Sequence, residues 1–249
     1  MDDLREILKK VSELMAGREV TTVDEIKRNA YRAMLSHFLS RHVSRDRMEN
    51  LVSEVVESLC EVPASINSLH YSEKLEIENV AFRHIHTCKP TEEDLENAYE
   101  EYLKSRKLID SIEIMMEVTD VFFNGYAIED GLIRVYSKGK YKYGAFYSLI
   151  DDVGEDLEIH ERVATSFDGE YVVVVPTENE LTRFLRFFSR YSERVKKAGF
   201  KIWVVNVEER TIDPFIGYPR DFLLLKGFKN PRVATQINSL WRVQVEEMD

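Results

Sequence analysis

The sequence predicts a helical domain over residues 1–115, then an α/β or α+β domain over residues 116–249 with one mixed sheet and a βαβ crossover. Three observations carry this. Apolar residues recur at helical spacing through the first part of the chain. From about residue 120, short aromatic and β-branched runs broken by Lys-Gly and Tyr-Gly take over. Two strand-like runs, YVVVV and KIWVVNV, flank a single long amphipathic helix.

Taken in order, Leu4, Ile7, Leu8, Val11 and Met15 mark a first helix that Gly17 can stop. Thr22 and Glu25 have the spacing of a capping box ahead of Ile26, Ala30, Met34 and Phe38. Ser44 can cap a third helix carrying Met48, Leu51, Val52, Val55, Val56 and Leu59. Pro63 breaks the pattern, and Pro90-Thr91 opens a long helix whose acidic first turn suits the helix dipole. GLIRVYSKGKYKYGAFYSLI reads as antiparallel strands with a hairpin, and LEIHERVATSF reads as a further strand. YVVVV lacks alternation, as a buried central strand does. The helix ENELTRFLRFFSRYSERVKKAGF then crosses to KIWVVNV, which should lie parallel to YVVVV. RDFLLLKGF and NPRVATQINSLWR read as two shorter helices, the second opened by Asn230-Pro231.

Composition narrows the classes of function. The chain of 249 residues is 44% hydrophobic and 32% charged, which excludes a disordered chain. It has neither an apolar run long enough to span a bilayer nor a secretory leader pattern at its start, so the expectation is a soluble cytoplasmic protein without a membrane role. Two cysteines, Cys60 and Cys88, make no disulfide framework. Gln occurs only at 236 and 244 while Glu is abundant, a lean toward a thermophilic source. The net charge of -11 argues against indiscriminate coating of nucleic acid. It hides a sorting of charge: residues 151–180 hold ten acids and one base, residues 181–242 thirteen bases and five acids.

The basic stretch centres on the crossover helix. At 100° per residue Leu181, Phe184, Leu185, Phe188, Tyr191 and Val195 share one face. Arg183, Arg186, Arg190, Arg194 and Lys197 line up nearly opposite, a costly arrangement of like charges unless something acidic offsets it. One candidate is the chain's own DDVGEDLE, or a subunit of a homo-oligomer. The other is the phosphate backbone of DNA or RNA, which guanidinium groups hold without reading sequence. Lys226, Lys229, Arg232 and Arg242 would widen the patch, Arg220 and Arg232 could form an anion clamp, and Phe187, Phe215 and Tyr218 either belong to the core, the reading their type favours, or stack on bases.

The order SFDGEYVVVVPTENELTRFLRFFSRYSERVKKAGFKIWVVN resembles the core of the restriction-endonuclease-like superfamily, the PD-(D/E)xK nucleases and archaeal Holliday-junction resolvases. The resemblance covers roughly residues 150–210 and rests on element order and a DG-x-Y-V-V pattern. It implies an acidic residue, Glu158 or Asp156, and a Glu-x-Lys on the following strand that together hold a divalent metal such as Mg²⁺. The Glu and Lys would fall on Val174 and Pro176, neither of which can ligate or donate. The resemblance therefore implies a degenerate copy that binds or scaffolds without cleaving. A migrated nuclease site would draw on Asp168, Glu170, Glu178 and Glu180 around the strand.

Other constellations are sparser. HIHTC places His84, His86 and Cys88 at alternating positions, with Cys60 and His70 upstream, so that a strand would present three zinc ligands on one face. Without a Cys-x2-Cys pair, structural histidines and a buried thiol explain them as well. Helices over 23–40 and 45–60, joined by RHVSR with Arg41, Arg45 and Arg47, have helix-turn-helix spacing. No Gly-rich phosphate loop, nucleophile elbow or catalytic triad spacing is present, and no cofactor is implied. The sequence thus points first to a non-catalytic nucleic-acid-binding or scaffold module with a basic helix face. The alternatives are a protein-interaction protein without a nucleic-acid role and a metal-dependent nuclease with a migrated site.

Overall fold

In the computed structural model, residues 2–60, 75–77, 80–84, 90–178 and 181–232 are described. They form an N-terminal helix-rich region followed by a mixed-sheet region with helical crossovers, as the periodicities predict. The chain divides into two compact units, residues 1–38 with 43–109 and residues 39–42 with 110–249. The boundary at 109/110 and the sequence-based one at 115/116 both fall inside one long helix.

The first unit is built on helices α1 (Asp2–Leu14), α2 (Val23–Phe38) and α3 (Arg45–Cys60). Ile7 and Val11 of α1, Ile26, Ala30 and Met34 of α2, and Leu51, Val52 and Val55 of α3 are buried. Gly17 ends the first helical segment with φ 81°, a left-handed conformation that costs glycine nothing. Thr22 Oγ1 accepts the Glu25 amide at 3.2 Å, giving half of the expected capping box. The other half is missing because the Glu25 carboxylate is taken by Thr21 Oγ1 at 2.9 Å and Arg18 Nε at 3.4 Å. Strands β1 (Val20–Thr21), β2 (Leu75–Ile77) and β3 (Val80–His84) make a small antiparallel sheet in the order β1-β3-β2. Val20 and Phe82 bury themselves there with Ala98 of α4 (Glu92–Phe122). Thr91 and Asp94 cap α4 reciprocally: Thr91 Oγ1 accepts the Asp94 amide at 3.2 Å, and the Asp94 carboxylate accepts the Thr91 amide at 2.7 Å.

Helix α2 is buried on a polar stripe as well as on its apolar one. Glu25, Arg28, Asn29 and Arg32, spaced i, i+3, i+4, i+7, are all nearly inaccessible. Arg28 donates to Glu101 at 2.8 Å, and Lys104 and Arg18 approach the same carboxylate at 2.6 and 3.5 Å. Burial pushes the Glu101 carboxyl up, but the hydrogen bonds from Lys104 and Arg28 outweigh it and hold the group at about 2. The folded state therefore favours ionised Glu101. Its contribution is present above the ordinary value of 4.5 and is lost as pH falls through about 2. Glu25 works in the opposite sense: its carboxyl is raised, chiefly by burial, and its protonation on acidification relieves a cost. Glu101→Gln is expected to flatten the loss of stability across that acidic window, as followed by denaturant unfolding at a series of pH values.

The second unit contains one six-stranded sheet in the order β4-β5-β6-β7-β8-β9. Its strands are β4 (Ala127–Glu129), β5 (Arg134–Lys138), β6 (Tyr141–Tyr147), β7 (Glu170–Pro176), β8 (Lys201–Asn206) and β9 (Thr211–Ile216). β6, β7 and β8 run parallel and the outer pairs run antiparallel. The β6–β7 connection passes through α5 (Ile150–Glu155) and α6 (Leu157–Ser166), and the β7–β8 connection through α7 (Thr182–Ala198). Every residue of β7 is buried, as its unalternating run requires. Tyr147, Val174 and Trp203 are register partners on adjacent strands. Trp203 belongs to an aromatic cluster with Phe122, Phe123, Tyr143 and Phe228 that covers this face of the sheet.

Three readings of the sequence change here. LEIHERVATSF is not a strand but helix α6, because Leu157, His160 and Val163 turn inward at i, i+3, i+6. TIDPFI, unassigned from sequence, is the edge strand β9; its Pro214 is tolerated at an edge, with a register irregularity at Ile202/Trp203 in the facing strand. RDFLLLKGF contains a 3-10 helix over Phe222–Gly227, capped by the Asp221 side chain, which accepts the Leu223 amide at 3.0 Å. Most of NPRVATQINSLWR, Arg242 included, lies outside the described residues.

Candidate nucleic-acid interface

Helix α7 is set on the sheet by Phe184, Phe187, Phe188, Ser192 and Val195, and it packs beside α5 and α6. Its inner face is rotated from the expected one: Phe187 is buried and Leu181 is exposed. Gly199, with φ 81°, closes the helix by donating its amide to Val195 O.

The outward cations divide into two groups. Arg183 and Arg194 are compensated. Arg183 Nη1 lies 3.2 Å from Asp151 and 3.8 Å from Glu178, and Arg194 holds Glu161 through two bonds of 3.1 and 2.9 Å. The acids of DDVGEDLE thus supply one partner, Asp151, and the second comes from Glu161 on α6. Arg186, Arg190 and Lys197 are exposed and have no acidic partner among the described residues. At 100° per residue these three fall within about 40° of one another. Arg190 also lies over the Tyr191 ring, 5.3 Å from its centroid, which orders the guanidinium without neutralising it. Within the same stripe Glu193 is bound to Lys196 at 2.8 Å.

The other expected contacts lie elsewhere. Phe187 and Phe215 are core residues, while Tyr218 is partly exposed. Arg220 sits in the loop after β9, its backbone N–H donating to Glu170 at 3.1 Å and its Nε 4.0 Å from the same carboxylate. Arg232 is exposed in the last described turn, its amide donating to Asn230 Oδ1. Lys229 is paired with Glu209.

The carboxylates of the nuclease reading are spread over the unit. Glu158 is exposed on α6, and Asp168 is exposed 3.6 Å from Lys142. Glu170 is buried at the start of β7, with Lys201 Nζ at 2.6 Å. Glu178 follows the other end of β7, so an extended chain separates it from Glu170 by about 26 Å. Glu180 lies outside the described residues. Val174 and Pro176 are both buried within β7. Among the described residues no three of His, Cys, Asp and Glu gather as a metal site. His84 pairs with Val20 on β3, while His70, His86 and Cys88 lie outside the described residues. Of the basic joint between α2 and α3, Arg45 is paired with Glu49 at 2.7 Å and Arg47 with Asp3.

Two polar networks escaped the sequence reading. Arg134 holds Asp120 through bonds of 2.9 and 2.8 Å, and the Tyr136 hydroxyl donates to the same carboxylate at 2.6 Å. Burial drives the neighbouring Tyr147 hydroxyl up to about 12. The second network runs from Tyr126, which donates to Asp221 at 2.5 Å, through the Asp221 amide on Tyr143 Oη at 2.9 Å. The only sequence signal for either was the density of tyrosines in β5 and β6.

This is a two-unit chain whose mixed α/β sheet carries a cationic helix on its outer surface. It belongs to the family described as "Domain of unknown function (DUF6834), C-terminal domain", which matches residues 101–230, just over half of the chain. Residues 6–99 are similar to the family described as "Domain of unknown function (DUF6846)". No curated protein matches the sequence. No helix among the described residues is long and apolar enough to cross a membrane.

Proposed function

We propose that this chain is a non-catalytic, cytoplasmic nucleic-acid-binding module that holds the phosphate backbone on the outer face of α7. One observation carries the reading. Arg186, Arg190 and Lys197 share a narrow exposed stripe without acidic partners among the described residues, while the cations flanking them are neutralised. A protein of net charge -11 that leaves three aligned cations uncompensated has a site complementary to a polyanion. The contacts are to backbone, so they position nucleic acid without selecting sequence. A binding role rather than cleavage is supported by the Glu170 carboxylate, which is occupied by Lys201 and the Arg220 amide.

Three phosphate contacts give a salt dependence with a logarithmic slope of about -2.7 on a duplex. Arg186→Glu with Arg190→Glu is expected to weaken binding by about tenfold or more on any sequence and to bring the slope near -0.9. Fluorescence anisotropy across a salt series measures both. Absence of wild-type binding at low salt, or binding indifferent to the charge reversal, would sink the reading. So would equal competition by polyglutamate, which would assign the stripe to an acidic protein partner.

A further inference from the structure

We propose that the border of the sheet where β6, β7 and β8 begin is a second nucleic-acid contact, one that takes unpaired bases. The class of partner rests on the nucleic-acid role proposed above, but the site uses no residue of α7. Two pieces of chain meet there. One is the hairpin tip between β5 and β6, where Lys138 stands opposite Tyr141 in the ladder. The other is the loop that follows β9, residues 217–223. Tyr126 joins them: Lys138 Nζ lies 5.2 Å from the centre of its ring, and its hydroxyl donates to Asp221 at 2.5 Å.

The loop is anchored and yet shows apolar side chains to water. Trp203 Nε1 donates to Gly217 O at 3.0 Å, the Arg220 amide donates to Glu170 at 3.1 Å, and the Asp221 amide donates to Tyr143 Oη at 2.9 Å. Beside these anchors Phe222 and Leu223 are 78% and 69% exposed, and Tyr218 is 44% exposed. Scattered apolar side chains are ordinary on a surface. Several on one fixed loop form a preset contact, because little ordering remains to be lost on binding. The charge around them is positive. The Arg220 guanidinium is exposed and 4.0 Å from Glu170, whose carboxylate Lys201 already holds at 2.6 Å. Lys138 and Lys140 are exposed, and neither forms an ion pair among the described residues, while Lys142 is matched by Asp168 at 3.6 Å.

Exposed rings set among such cations have the composition of surfaces that hold single strands, where bases stack on the rings and phosphates pass over the cations. The rings of Tyr218 and Phe222 favour a strand over an acidic peptide, since every base has a face to stack on them and a carboxylate has none. A duplex keeps those faces inside its own stack, so the site selects unpaired nucleotides.

The test is fluorescence anisotropy of the whole chain with a short oligothymidylate and, separately, a short duplex. Phe222→Ala with Tyr218→Ala is expected to weaken the single strand by about tenfold or more and the duplex by less than about twofold. Lys138→Gln is expected to lower the single-strand salt slope by about 0.7. Single-strand affinity unchanged by the double substitution, or an equal loss on the duplex, overturns the site. Equal competition by polyglutamate overturns it in favour of an acidic protein partner. Single-strand binding lost in the Phe222 and Tyr218 variant, with both probes indifferent to reversal of Arg186 and Arg190, upholds this site and removes the α7 reading. Duplex binding without single-strand binding removes this site alone, and failure of both probes to bind removes both.

Discussion

Val174→Glu is expected to unfold the sheet unit, whether or not Pro176→Lys accompanies it, and not to restore a metal-binding Glu-x-Lys. Val174 has no accessible surface, and its register partners are Tyr147 and Trp203. An ionised carboxylate placed there has no cation among those neighbours to offset its desolvation. The effective penalty is several kcal/mol, a large fraction of the 5–15 kcal/mol by which ordinary domains are stable. Loss of the cooperative near-ultraviolet transition, or recovery of the protein only in insoluble form, is the expected observation. A soluble, folded double variant that cleaves DNA with Mg²⁺ would contradict this account.

Arg28→Met should cost about 3 kcal/mol in denaturant unfolding, at the lower end for a broken buried ion pair because Lys104 and Arg18 still approach Glu101. Arg28 is 3% exposed, so water does not readily take the place of the donor that Glu101 loses. Adding Glu101→Met should recover much of the loss, since a buried ion cluster replaced by apolar side chains of similar volume is often neutral. A single-variant loss below about 1 kcal/mol would show that the network contributes little, and a double variant worse than the single would show that Glu101 is held chiefly by Lys104 and Arg18.

The regular elements were legible because their apolar spacing depends on local sequence alone. α7 and the two parallel strands beside it follow directly from runs such as FLRFF and YVVVV. α6 resembles a strand in sequence because Leu157, Ile159 and Val163 all stand at odd-numbered positions, a spacing that fits a short strand as well as a helix. β9 was missed because Pro214 counts against a strand unless its edge position is known. The polar stripe of α2 reads as a solvent face, and its main partner Glu101 lies 73 residues away from Arg28 in sequence. The candidate site was legible as a row of cations, but not which of them were free of acids. That depended on where α6 brought Glu161 and where the turn after β7 left Glu178.

The two borders of the six-stranded sheet also determine how copies of this chain can associate. β4 has only three residues, all exposed, and ends in Glu129. β9 contains Asp213 and Pro214, and proline has no amide hydrogen to offer an incoming strand. Neither border is a good template for backbone pairing. Self-association by strand addition is therefore disfavoured at the sheet, and amyloid-like growth from the folded unit has no ready starting edge.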